Sequence, residues 1–218
     1  MPERVTKTTK TTEDRRNTVS SFQSLRAVHP AKDGFIPPHG GYRDLVSYNK
    51  ALVVYQATLY FCDRFVDRKS RTHDQMVQAA RSGKQNILEG SQFSGTSKET
   101  ELKLTNTARA SQEELLEDYR DFMRAHRIAE WTLEHRYARR LRQLNRIPGA
   151  TYETFKKGIE NRDPAICVNV IVGLIKVTCY LLDQQLRRLE KDFLREGGLR
   201  ERMTRARVAA RAKQPRHQ

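Results

Sequence analysis

The sequence predicts an all-α protein: an antiparallel four-helix bundle with a helical insertion between its third and fourth helices and flexible basic termini. Three observations carry that prediction. Apolar residues recur at helical spacing over four long stretches. No stretch shows the strict apolar–polar alternation of a half-buried strand. Small residues also gather where two predicted helices would meet, Ala80 and Gly83 on one, Ala108 and Ser111 on the next.

Residues 1–41, rich in Thr, Ser, Lys and Arg and closing on Pro37-Pro-His-Gly-Gly41, lack periodicity and read as a flexible arm. A first helix is expected over 43–68, with Leu45, Leu52, Leu59, Cys62 and Val66 as its stripe and Tyr48 and Tyr55 widening it. A second, over 73–89, places Met76, Ala80, Gly83 and Ile87 on one face. Gly90 stands where a helix commonly needs a left-handed closing residue. Thr96 and Glu99 have the spacing of a capping box that opens a third helix over 97–126. Its face holds Leu104, Ala108, Ser111, Leu115, Tyr119 and Phe122. Gly83 costs about 1 kcal/mol against alanine in a helix interior, a cost that a close helix crossing would explain.

The insertion, 130–160, contains a helical stretch over 130–144 with Leu133, Tyr137, Leu141 and Leu144 on one side. Pro148-Gly149 breaks it, and a weaker segment over 152–159 follows. Asp163-Pro164, an N-cap acceptor before a proline suited to the first helical position, starts a helix over 164–196 that Gly197-Gly198 ends. The bundle thus occupies 42–196. Residues 197–218 form a basic tail that can continue as a frayed helix.

Only 37% of the 218 residues are apolar, and the mean hydropathy is -0.78, a composition suited to helices with one apolar stripe each. The longest apolar stretch is interrupted by Asn169, Gly173 and Lys176 and reads as too polar to span a bilayer. Met1-Pro-Glu-Arg-Val-Thr-Lys7 lacks the apolar run of a secretory signal. A cytoplasmic protein without membrane association is expected. Cys62, Cys167 and Cys179 are far apart and form no C-x-x-C pair, so they read as small core residues.

At this point the residues resemble a known family. Asn86-Ile-Leu-Glu-Gly90, Thr96-Ser-Lys-Glu99 and Ala108-Arg-Ala-Ser-Gln-Glu-Glu-Leu115 are similar to the signature of the 23S ribosomal RNA intervening-sequence proteins, and Gly173-Leu-Ile175 to that family's last helix. The resemblance covers about residues 43–128 and 164–186. It departs at Ser82-Gly-Lys-Gln85, where the family has Ser-Ile-Pro. The region from Tyr180 through Met203 resembles the extension of four-helix-bundle suffix proteins. The superfamily includes the accessory variability determinant of diversity-generating retroelements, a pentamer that works beside a reverse transcriptase. The resemblance therefore implies a homo-oligomer, a pentamer among the forms it allows, and an accessory role beside such an enzyme.

The net charge of +15 favours a polyanionic partner, RNA or DNA, because each neutralised phosphate releases condensed counterions. The candidate phosphate contacts are Arg136, Arg139 and Arg140, beside Trp131, and Arg200, Arg202, Arg205, Arg207 and Arg211, opposed only by Glu201. An arginine next to an aromatic ring can meet phosphate and stack on a base. Gly83, Asn86, Glu89, Gly90, Ala108 and Ser111 are expected to be structural, Glu89 pairing with Arg81 or Arg109 across the helix pair.

No catalytic residue, metal ligand or cofactor is expected. Gly83-Lys84 fails as a phosphate loop, since Gln78 stands where glycine is needed and Gln85 where Ser or Thr is needed. A di-iron bundle fails for want of paired Glu-x-x-His motifs. A non-enzymatic nucleic-acid-binding protein is the leading expectation, and a protein-interaction adaptor is the alternative.

Overall fold

The computed structural model describes residues 36, 37 and 39–212. Most of the arm expected over 1–41 lies outside the described residues, as does the end of the basic tail, 213–218. After a single 3-10 turn at Tyr42–Asp44, the described elements are α1 (Val46–Phe65), α2 (Arg71–Phe93), α3 (Lys98–Ala125), α4 (Arg136–Asn145), α5 (Tyr152–Ile159), α6 (Pro164–Glu196) and α7 (Leu199–Ala212). No strand occurs among the described residues. The protein is all-α.

Helix α2 packs on α1 and α3, α6 packs on α3 and α1, and α4 and α5 rest on α6; the main buried cluster draws on all six of these helices. At its centre Phe61 meets Tyr119 and Phe122 edge-on, with ring centroids 4.9 and 4.8 Å apart. Edge-to-face packing of this kind adds to the area the rings bury. The buried Tyr119 hydroxyl is 3.1 Å from Thr58 Oγ1, which satisfies a polar tip in an apolar setting. Cys62 and Cys167 lie fully buried in the same core and Cys179 is half-buried. Burial pushes the thiols of Cys62 and Cys167 up to about 12.

Several expectations need correction. The inward face of α1 is Ala51, Val53, Val54, Ala57, Thr58, Phe61 and Cys62, whereas Leu59 is exposed. The large leucines misled; small and β-branched residues line the face that its neighbours cover. Gly90 does not end α2, which runs three residues further. It lies buried against α3, where a Cβ would stand 3.4 Å from Leu104 Cβ and 3.5 Å from the Glu101 carbonyl. Its small size serves a close crossing rather than a turn.

The cap of α3 is Ser97, one residue later than expected. Its Oγ accepts from the Thr100 N–H at 3.1 Å, while Glu99 pairs with Lys103. Finally, residues 130–135 are not helical and Leu133 is 73% exposed. The cause is Asn169, whose side-chain oxygen accepts from the Trp131 N–H at 2.7 Å while its amide donates to the Ala129 carbonyl at 3.1 Å. A buried asparagine on α6 thereby claims backbone groups that a helix would have used.

The start of α6 is as expected. Asp163 accepts from the Ala165 N–H at 2.8 Å and Pro164 occupies the first turn. The helix closes at Gly197, whose φ of 71° suits glycine alone at little cost. By length and composition the helical span Pro164–Ala212 holds a window apolar enough to cross a membrane, contrary to the expectation, and 56% of that window is buried in the protein.

Candidate nucleic-acid interface

Helix α4 divides its residues by charge. Tyr137, Leu141 and Leu144, spaced four and three apart, face α5 and α6, and Leu141 is buried. Its methyl group occupies the space that a side chain at Gly173 would fill, so glycine on α6 lets α4 seat closely. The remaining face carries Arg136, Arg139 and Arg140, with Arg142 and Arg146 nearby and no acidic residue between 136 and 146. None of these five forms an ion pair among the described residues. Arg139 donates to the Glu134 carbonyl at 3.0 Å, and Arg140 to the Gln143 side chain at 3.3 Å. Their charges thus stay uncompensated. Some arginines elsewhere are matched: Arg109 contacts Asp183 at 2.5 Å and Glu113 at 2.8 Å, and Arg120 contacts Glu117 and Glu130. Arg64, Arg71 and Arg81 form no ion pair among the described residues either, but α4 gathers five such arginines within eleven positions.

An aromatic group adjoins the basic face. Trp131 stacks on His135 with centroids 4.8 Å apart and planes 17° from parallel. Tyr137 lies 5.4 Å from Trp131, and the Arg136 guanidinium sits 4.5 Å above the Tyr137 ring. Trp131 and Tyr137 form one end of a cleft of about 470 Å³ between α4, α5 and α6. Its depth is apolar, with Leu141, Phe155, Ile166 and Val170, and its polar lining is Arg140, Lys157, Thr154 and Asn161. No carboxylate lines it. Such a cleft can accept an anion joined to a flat apolar body.

Helix α7 holds the second set. Arg200, Arg205, Arg207 and Arg211 are exposed, and no residue of α7 is buried. Arg205 donates to the Glu196 carbonyl. Arg202 differs, because it is half-buried and its guanidinium reaches the Gly95 carbonyl, 2.9 Å away in the turn between α2 and α3.

The residues expected to be structural separate. Gly83, Gly90 and Ala108 are buried between α2 and α3, and Ser111 is half-buried. The atoms nearest a side chain at Gly83 belong to Gln112. Glu89 is exposed and makes no ion pair among the described residues, since Arg109 is committed to Asp183 and Glu113. The expected Glu89 pair is therefore absent. Asn86 is half-buried, and no hydrogen bond ties its side chain to another described residue.

No protein-family model, curated protein or solved structure matches the chain. Sequence reasoning missed the α5 wall of the cleft. Thr154, Lys157, Gly158 and Asn161 share one face at spacings of three, one and three; that periodicity was the available signal. Among the described residues no three His, Cys, Asp or Glu side chains gather in a way that could hold a metal ion.

Proposed function

We propose that this chain is a non-enzymatic four-helix-bundle protein that assembles with copies of itself and binds RNA or DNA in the cytoplasm, as an accessory to a reverse transcriptase or another nucleic-acid enzyme. The neighbour pattern of α1, α2, α3 and α6 supports the bundle, with α4 and α5 as its insertion. The similarity of Asn86–Gly90 and Ala108–Leu115 to the intervening-sequence proteins supports the assembly and the accessory role.

One observation carries nucleic-acid binding: the clustered arginines of α4 have no carboxylate partners, whereas α3 and α6 supply acids to arginines of their own. Cations left unpaired beside an aromatic group suit a phosphate backbone. The alternative, a protein-interaction adaptor, draws on exposed apolar side chains of α6, where Tyr180 is 62% and Leu194 78% exposed.

The test is retention of a labelled oligonucleotide across a salt series. Binding should weaken steeply with salt, and an Arg136/Arg139/Arg140→Glu triple variant should lose at least about tenfold in affinity at low salt. Binding that is insensitive to salt, or unchanged in the triple variant, removes the proposal. A protein partner lost from the same variant, with no nucleic acid bound by the parent, selects the adaptor.

A further inference from the structure

We infer that the cleft between α4, α5 and α6 receives one unstacked base of a single-stranded nucleic acid, with the adjoining phosphate held by Arg140 and Lys157. This inference rests on the nucleic-acid reading above and deepens it by assigning the form of the ligand and the place of one base.

Four features of the cleft point to that occupant. Its volume of about 470 Å³ falls in the range of about 300–1,000 Å³ typical of small-ligand sites. A duplex cannot enter such a space, whereas a base turned out of a single strand can. The walls are apolar and aromatic, with Trp131 and Tyr137 on one side and Phe155 deeper in. A flat heterocycle gains by leaving water for such surfaces, about 1–3 kcal/mol per stacked base.

The charged lining is entirely cationic: Arg140 and Lys157 project from different helices, and neither makes an ion pair among the described residues. Phosphate is the group that such a pair fits, and a neutral or cationic ligand would leave both uncompensated. Asn161 supplies the last feature. Its side-chain oxygen accepts from the Asp163 N–H at 2.9 Å, which fixes the amide's orientation. The side-chain NH₂ is left without a partner among the described residues, a donor suited to the ring nitrogens and carbonyls on base edges.

The surroundings connect the cleft to a longer strand. Arg136 and Arg139 continue the basic face of α4 beyond the cleft, so phosphates flanking the inserted base meet further cations. Base entry thus adds to a sequence-tolerant backbone grip, and it selects unpaired over paired nucleic acid.

Trp131 is the only tryptophan in the chain, so its emission reads this cleft without labelling. The full chain is titrated with an oligodeoxyadenylate, with the duplex that strand forms with oligothymidylate, and with AMP. Anisotropy of a dye on each polymer reports binding independently. The expected result is quenching of Trp131 at saturation by the single strand, binding of the duplex without quenching, and no effect of AMP at the same nucleotide concentration. Tyr137→Ala, which leaves the charge unchanged, should weaken the single strand about tenfold and leave the duplex unaffected. Ile166→Phe, which fills the cleft from α6, should act in the same direction.

Each other outcome overturns a defined part. A single strand that binds by anisotropy while Trp131 emission stays constant removes the cleft and leaves the nucleic-acid reading standing. Equal quenching by duplex removes base insertion. Quenching by AMP at matched concentration makes the occupant a free nucleotide and removes the strand. Absence of any polymer binding removes both readings together.

Discussion

A methyl group on Gly83 would overlap the carboxamide of Gln112: it would stand 3.0 Å from Cδ and nearer still to the side-chain nitrogen. Gln112 is fully buried on α3, with neither end of its amide hydrogen-bonded within the protein. The glycine is therefore a seat for a polar side chain rather than a bare helix crossing. Gly83→Ala should destabilise the protein by about 1–3 kcal/mol through overpacking. Gly83→Ala combined with Gln112→Ala should recover most of that loss. Chemical denaturation of the two single variants and the double variant tests this, and strict additivity would show that the pair is not coupled.

Lys50 presents the opposite problem. Only 4% of it is exposed, and its ammonium has no hydrogen-bond partner, lying 4.6 Å from the centre of the Phe155 ring. Burial lowers its pKa from the ordinary lysine value. The unfolded chain then binds the extra proton between the folded and unfolded values, so stability should rise as pH climbs through that window. Lys50→Met should raise stability at neutral pH by about 1–3 kcal/mol and abolish this rise. Thermal melts from neutral to alkaline pH check both points; a destabilised Met variant would show that the cation–π contact outweighs desolvation.

Asn169 holds the 129–131 segment on α6 through two hydrogen bonds. Asn169→Leu keeps the bulk and removes both, leaving the half-buried Trp131 N–H and the Ala129 carbonyl without their partner. A loss of about 2–3 kcal/mol is expected, along with a red shift in Trp131 emission as that segment loosens. An unshifted spectrum at unchanged stability would mean that the segment is held by packing alone.

The position of elements was legible where local chemistry decided it. Asp163-Pro164 marked the start of α6 and Gly197 its end because capping depends on neighbours along the chain. The same reasoning failed at 130–135, where residues of helical spacing give way to Asn169, a partner about forty positions later. At Gly83 the small residues pointed to a close approach of α2 and α3 but not to Gln112, whose carboxamide lies nearest the glycine. The α4 arginines stood out in the sequence, but the cleft beside them needed α5 and α6 to be brought together. No single segment carries it.

Glu130, between Lys176 and Arg120, offers a pH signature of the insertion. Burial works against its ionisation, yet hydrogen bonds and charge from Lys176, then Arg120, hold the carboxyl below its ordinary range. A lowered folded value contributes stability that is present above the unfolded value, about 4.3, and is lost as pH falls through the folded one. Glu130→Gln should lower stability at neutral pH and flatten the acid limb of a stability–pH curve. The acid limb is the decisive measurement, and an unchanged limb would show that solvent screens the triad.

Arg202 fastens α7 to the loop linking α2 with α3 through the Gly95 carbonyl. Trimming the chain at Gly197 therefore does more than discard positive charge, because it also unbuckles a strap across that loop. A polyanion competing for the same guanidinium would undo the buckle as it bound, so occupancy at one end of the molecule would be felt as local loosening around Gly95.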